Sequence, residues 1–409
     1  MYDYILKHGK IMDGTGNPWH YGDVAIENGR IAAMGHNLDD EAKQIIDVSG
    51  LAIAPGFIDM HTHTELTYLV KPDEICKISQ GVTTEIGGLC ALSPAPVNEK
   101  TRASIENMNN PLLGVHGLKY EWNTMAEFLN TLKTSQHVTN LGTLQGHNAI
   151  RAMAMGFENR RPTESELKMM ICLLRESMEA GVFGFSTAGV QSPSNFADTS
   201  ELMALCSVVS EYDGIYETHL RSESNAMLDA VAETMLIAKK TGVRAQVAHH
   251  KASGKHNWGK LIASLRMIDE TRQSGYDVGV DMYPYTYASF NLEALLPPWV
   301  RGNDVSKALE ILADESQRAK IFYDMQNGIL GSGWESVYQW CGFDGIRIGA
   351  VAKPENISLQ GKSISQIAKE RGCSGIDVIC NILCDEGFGV LMLLDFGCEE
   401  DVENALRYP

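Results

Sequence analysis

Pro55-Gly56-Phe57-Ile58-Asp59-Met60-His61-Thr62-His63 sets two histidines at the end of a short apolar run. Side chains two apart on an extended chain face the same side. His61 and His63 therefore present both imidazoles together, which suits a shared metal ion. A turn that happens to hold two histidines explains a bare His-x-His as well. The preceding Pro-Gly-Phe-Ile-Asp, read as a strand end, makes the pattern far more specific.

Downstream of this stretch, short apolar runs alternate with amphipathic helical segments. The runs are Ala52–Asp59, Val82–Leu89, Asn140–Gln145, Val182–Ser186, Gly214–Thr218, Ala245–Ala248 and Val278–Met282. Helices are expected at Glu164–Ala180 and Asn225–Thr241; in the second, Met227, Ala230, Val231, Thr234 and Ile237 form a stripe at helical spacing, best explained by core packing. Such alternation predicts an α/β fold with a parallel sheet or barrel. After Ser289 the rhythm is replaced by helical stretches at Asp304–Gln326, Ser363–Glu370 and Gly375–Cys384, expected to form a helical insertion at about 290–385 over one barrel face. Upstream, Tyr2–Leu6, Lys10–Met12, Asp23–Glu27 and Arg30–Met34 are separated by Gly- and Asn-containing turns, a meander signature. The expected division is a small β domain over 1–52 and a barrel domain over 53–409.

The 409 residues carry 34 Lys+Arg against 52 Asp+Glu, a net charge of −18. That balance argues against non-specific nucleic-acid or anionic-membrane binding, which needs clustered cations. The start Met1-Tyr2-Asp3-Tyr4 lacks a secretory pattern, and no run reaches the ~20 apolar residues of a membrane span. Nine cysteines scattered over a long chain read as reduced thiols, hence a cytoplasmic location.

Three more candidate ligands end strand-like runs: Cys90 after Gly81–Leu89, His219 after Ile215–Thr218, and His249 after Ala245–Ala248. Singly, a cysteine there is more often a buried apolar residue, and a histidine a hydrogen-bonded core residue. Together with His61 and His63 they occupy the carboxyl ends of strands, the face on which parallel barrels build active sites. Imidazole and thiolate suit zinc. Cys90, His219 and His249 would hold one ion tightly, with His61 and His63 binding a second, looser one or sharing one site. Cys380 and Cys384 compete as metal ligands but read better as thiols of a helix core. Gly184-Phe185-Ser186-Thr187-Ala188 lacks a nucleophile elbow, and no glycine-rich loop has phosphate-binding spacing.

At this point the chain resembles the D-aminoacylase (N-acyl-D-amino-acid deacylase) branch of the amidohydrolase superfamily. The matching segments are Asp13–Gly16, Pro55–His63, Ile78–Thr84, Cys90 with Ser93–Pro96, Thr218-His219-Leu220-Arg221, Ala248-His249-His250-Lys251 and Asp281-Met282-Tyr283-Pro284-Tyr285. The resemblance implies a distorted (β/α)8 barrel beside a small N-terminal β-sandwich. It also implies zinc-dependent hydrolysis of the amide of a small-molecule N-acyl-D-amino acid to a carboxylate and a D-amino acid. His61, His63, Cys90, His219 and His249 match the family's metal positions, with His249 preferred over His250 by spacing. Lys251 and Tyr283 match the residues that hold the substrate carboxylate, and an ammonium with a phenol gives a carboxylate both charge and direction. Arg221 is a third candidate for that role, equally well explained as a barrel-rim ion pair. Hydantoinase- and dihydroorotase-like relatives, the cyclic-amide alternative, bridge two metals with a carboxylated lysine on strand four; Gly181–Gly189 holds no lysine.

The sequence ends at Arg407-Tyr408-Pro409. In the family, an acidic stretch like Leu393–Asp395 and Glu399–Asp401 leads into an eighth strand. A Gly-Ser-Asp-Gly there supplies the acid/base aspartate. That motif does not occur in these 409 residues, so the expectation is a barrel without its eighth strand in this chain, with no catalytic acid/base assigned. The chain would then be either the bulk of a longer enzyme or a metal-binding form without turnover. Asp395 is not assigned the missing role.

Overall fold

The computed structural model describes residues 1–38, 41–115, 117–301, 305–330 and 334–409. The chain divides into two units, Met1–Asp59 with Ile75–Thr84 and Met60–Glu74 with Glu85–Pro409.

In the first unit, Tyr2–Ile11 is one ten-residue strand where the sequence suggests two. The stretch Lys7-His8-Gly9 is a bulge: the register shifts between Leu6 and Gly9, and His8 takes φ 64°. The buried Asp23 carboxylate holds it, accepting from the His8 N–H at 2.8 Å and the Leu38 N–H at 2.9 Å. His20–Glu27 and Arg30–Gly35 follow antiparallel, but Ala42–Asp47 and Ala52–Ile53 run parallel to the first strand. The sheet is thus mixed rather than a simple meander, because the chain crosses over before its fourth strand.

All seven expected barrel runs form strands. Five are consecutive and parallel: Gln145–Gly146, Gly184–Ala188, Ile215–His219, Arg244–Val247 and Val278–Val280. Their register aligns the carboxyl ends, with Ala188 opposite His219, Thr218 opposite Val247, and Val247 opposite Val280. Residues just beyond Val247 and Val280 therefore emerge beside His219 at one edge. One layer below, Gly146, Ser186, Glu217, Gln246 and Gly279 lie opposite one another across the five strands.

The helices pack on the other face. Glu164–Ala180 begins at a Thr163–Glu166 capping box and ends at Gly181, whose φ of 111° permits the left-handed cap. Met227–Thr241 starts two residues later than its pattern suggests, because Ser222 Oγ and Glu335 accept the Ala226 N–H and hold the chain in a turn. Phe185, Tyr216 and Val247 from the strands share a core with Leu174, Leu205, Val231 and Ile268 from the helices. Truncating one of these, Leu174→Ala, costs ~2–5 kcal/mol at such sites.

The insertion differs from the all-helical expectation. Its helices include Val305–Ala313, Glu315–Asn327, Ile364–Arg371 and Gly375–Glu386, while Asp304, the expected start of the first, lies outside the described residues. It also contains an antiparallel sheet with Leu391–Asp395 between Tyr287–Asn291 and Ile346–Ala350. Ile346, Ile348, Met392 and Leu394 alternate inward onto the insertion's own core, which includes Cys380. Three five-residue strands that pair across such distances leave little local trace.

Candidate metal centre

The five-strand register sets His219, His249 and Asp281 at one edge, while His61, His63 and Cys90 follow strands of a three-stranded sheet formed by Phe57–Asp59, Val82–Gly87 and Asn140–Thr143. His61 and His63 follow the first barrel strand, Cys90 the second, His219 ends the fifth, and His249 and Asp281 follow the sixth and seventh. Side-chain donor atoms of Cys90, His219 and His249 lie within 4.8 Å of one another, as do those of His61, His63 and Cys90. Cys90 is thus common to both sets. Its Sγ is 3.5 Å from His61 Nε2 and 3.5 Å from His249 Nε2.

The far side of each ring is fixed by a carboxylate. His61 Nδ1 is 3.0 Å from Asp281 Oδ1, and His249 Nδ1 is 2.8 Å from Glu223 Oε1. These carboxylates orient the two rings with Nε2 toward the thiol, the usual support of metal-ligating histidine. Glu223 also takes a 2.6 Å bond from Lys251 Nζ, and Lys251 reaches the His249 carbonyl at 2.9 Å. Burial works against the Glu223 charge, but Lys251, His219 and His249 hold its carboxyl far below the usual range. Burial likewise pushes the Cys90 thiol up, yet the His61, His219 and His249 imidazoles bring it well below the ordinary thiol value. His63 Nδ1 and His219 Nε2 are buried with no hydrogen-bond partner among the described residues. Such orphaned nitrogens facing a thiolate are what a metal would satisfy.

Known proteins resemble the chain as a whole. The family model described as "Amidohydrolase family" matches residues 44–280. The D-aminoacylase of Alcaligenes xylosoxydans xylosoxydans is 31% identical over 408 residues, covering 100% of this chain and 72% of that protein. The chain belongs to the amidohydrolase family. Its D-aminoacylase branch is the one this sequence resembles, and the family makes the protein a hydrolase. An N-acyl-D-glutamate deacylase of the same organism is 35% identical over 289 residues, 70% of this chain and 58% of that protein. Among solved structures, the N-acyl-D-glutamate deacylase of Bordetella bronchiseptica, complexed with zinc and a phosphonate mimic of the tetrahedral intermediate, is similar at TM-score 0.79. The match has 28% identity and covers 99% of this chain and 74% of that one.

Within this amidohydrolase the remaining sequence candidates separate. Of the adjacent histidines, His249 joins the cluster. His250 Nε2 bonds Ser264 Oγ at 2.7 Å, and burial pushes its pKa down to about 4. Lys251 is 3% exposed, with its Nζ 5.5 Å from the Tyr283 ring and 5.7 Å from that of Phe396. Burial raises the Tyr283 phenol well above its ordinary value, keeping it a donor. Arg221, by contrast, bonds Glu233 at 2.6 Å and the Asn195 and Ala197 carbonyls, so its guanidinium is engaged at the barrel rim. Asp395 ends the strand Leu391–Asp395, a strand-end context its sequence surroundings did not suggest, and its charged neighbours are Lys255 and Arg347.

Glu223, Glu217 and Phe396 are given no place in the sequence reading, and Asp281 enters it only as part of a matching segment, without a role. Signals existed for two of them. Asp281 directly follows a barrel strand, and Glu217 stands two residues before His219 on the same strand face.

Proposed function

We propose that this amidohydrolase cleaves the amide bond of N-acyl-D-amino acids, using zinc held tightly by Cys90, His219 and His249, with His61 and His63 offering a second, weaker position. The observation that carries the reading is the convergence of two Nε2 atoms on one thiol, each ring backed at Nδ1 by a carboxylate. The donor set fits zinc: nitrogen and sulfur ligands, a thiol already biased toward thiolate, and buried nitrogens without other partners. Zinc bound there supplies Lewis acidity toward an amide carbonyl and a water.

The chain's own residues prepare the rest. Lys251 keeps Glu223 ionised, and together they fix the His249 ring, with Glu223 Oε1 2.8 Å and Lys251 Nζ 2.9 Å from Nδ1. The Lys251 ammonium and the Tyr283 hydroxyl are the proposed seat of the substrate carboxylate, walled by the Phe396 ring 6.0 Å from that of Tyr283. Relatives that act on N-acyl-D-glutamate and a zinc-bound deacylase of the same fold support the substrate class. Cyclic amides are the less favoured substrates, since the strand Gly184–Ala188 carries no lysine that could be carboxylated. A cytoplasmic location belongs to the same proposal, supported by nine free thiols.

The test is hydrolysis of a panel of N-acetyl-D- and N-acetyl-L-amino acids and of hydantoin by zinc-reconstituted protein. Cleavage of D substrates that a chelator removes and zinc restores is expected. Preference for the L series or for hydantoin contradicts the proposal.

A further inference from the structure

Cys90 stands in a costly conformation. Its φ is 52° and that of Ala91 is 62°, two successive non-glycine residues in the left-handed region. Such conformations persist only where the surroundings over-determine them. Those surroundings are the polar layer beneath the cluster. Glu217 Oε2 accepts the Cys90 N–H at 3.1 Å. Ser186 Oγ accepts the Ala91 N–H at 3.1 Å and donates to the Gly88 carbonyl at 2.5 Å. Gly146, at the end of the layer, lets the loop descend: a Cβ there would lie 2.4 Å from the Ala91 oxygen.

The arrangement repeats at the other thiol neighbour. His249 has φ 32°, and its N–H donates to Asp281 Oδ1 at 2.7 Å. Gln246, next in the layer, donates to Asp281 Oδ2 at 3.0 Å. Two residues of the cluster thus share left-handed backbone, and in each a side-chain carboxyl from the barrel strands or their ends takes the N–H. Glu217 is 1% exposed and on the barrel interior, where a carboxyl without such a task is an expensive choice.

We infer that Glu217, assisted by Ser186, is a positioning residue that holds the Cys90 loop so that Sγ faces both His61 and His249. The inference rests on the metal reading above, but concerns residues outside the two candidate ligand sets. It predicts that the carboxyl oxygen matters as an acceptor, so that an amide of the same shape replaces it.

Cobalt(II) binding to the whole chain tests this, because a cysteine ligand gives a thiolate-to-cobalt charge-transfer band that a distant structural change does not abolish. The band should be present in the unmutated protein and absent in Cys90→Ser. In Glu217→Ala it should weaken, with Co2+ affinity falling about 10–100-fold. Glu217→Gln should restore both, and Ser186→Ala should shift affinity and band in the same direction as Glu217→Ala. If the unmutated band does not depend on Cys90, the metal reading itself fails. If it does, and folded Glu217→Ala binds Co2+ with unchanged affinity and band, the positioning role is overturned. Should Glu217→Ala not fold, the other two variants decide. An unchanged Ser186→Ala, or a Glu217→Gln as weak as Cys90→Ser, contradicts the inference.

Discussion

Two histidine sites lie at strand ends of the same barrel, and they differ in what their ring nitrogens face. His147 follows the strand Gln145–Gly146 and is fully buried. Its Nδ1 lies 2.9 Å from Ser194 Oγ and its Nε2 3.0 Å from Glu201 Oε1, while Arg151 Nε donates to the same Glu201 oxygen at 3.1 Å. By residue type this is a serine–histidine–acid set at a strand end. Yet both ring nitrogens are satisfied, and the hydroxyl is buried with them. It ties the helix His147–Met155 to Thr199–Glu211. In the Cys90 cluster carboxylates satisfy Nδ1 of His61 and His249, whose Nε2 atoms face sulfur. His63 Nδ1 and His219 Nε2 have no hydrogen-bond partner among the described residues, the latter standing 3.7 Å from Glu223 Oε1. Position at a strand end therefore does not separate a structural histidine from a ligand, and neither does one unpartnered nitrogen, since His250 Nδ1 is also buried without a hydrogen-bond partner among the described residues; nitrogens converging on one thiol do.

The comparison can be broken most sharply through metal content. Purified protein should retain about one zinc ion per chain. Cys90→Ala should lose it, whereas His147→Asn should not; elemental analysis reads both. A zinc loss in His147→Asn would make the two clusters one system. Next in size is the stability effect of Arg151→Met, which leaves the buried Glu201 without its guanidinium partner. Breaking a buried pair on one side costs ~3–5 kcal/mol, visible as a shift in urea unfolding with unchanged zinc content.

Lys251→Ala should weaken binding of a D-amino-acid product about 10- to 100-fold, the value of a charged hydrogen bond of ~1.5–3 kcal/mol. Titration calorimetry on zinc-loaded protein measures it. Loss of zinc alongside would give Lys251 a purely supporting role through Glu223. The smallest effect is in pH. Burial holds His147 below its ordinary value of 6.5, so between its folded pKa and 6.5 the unfolded chain binds the proton more readily. Its contribution is complete above that window and is lost as pH falls through it. The unfolding free energy should decline below pH ~6.5, and less steeply in His147→Asn.

The comparison also marks how far the sequence could be read. Period-two spacing brought His61 and His63 together, and strand ends drew in Cys90, His219 and His249, because strand geometry is local and repetitive. His147 meets the same strand-end criterion and drew no notice, since its satisfaction depends on Ser194 and Glu201, 47 and 54 residues away. Asp281 lies 220 residues from His61, and Glu217 lies 127 from Cys90. Such pairs exist only after the barrel has formed. The insertion sheet was hidden for a related reason, since the partners Arg347 and Leu393 meet across helices whose own periodicity dominates the stretch. The bulge at His8 was read as a chain break because a lone glycine beside a polar pair marks both.

X-ray absorption at the zinc edge tests the central claim most directly. The account predicts one sulfur neighbour at about 2.3 Å with nitrogen or oxygen atoms at ~2.0–2.2 Å, the sulfur disappearing in any zinc that Cys90→Ala retains. A zinc site in the unmutated protein with no sulfur neighbour would contradict it.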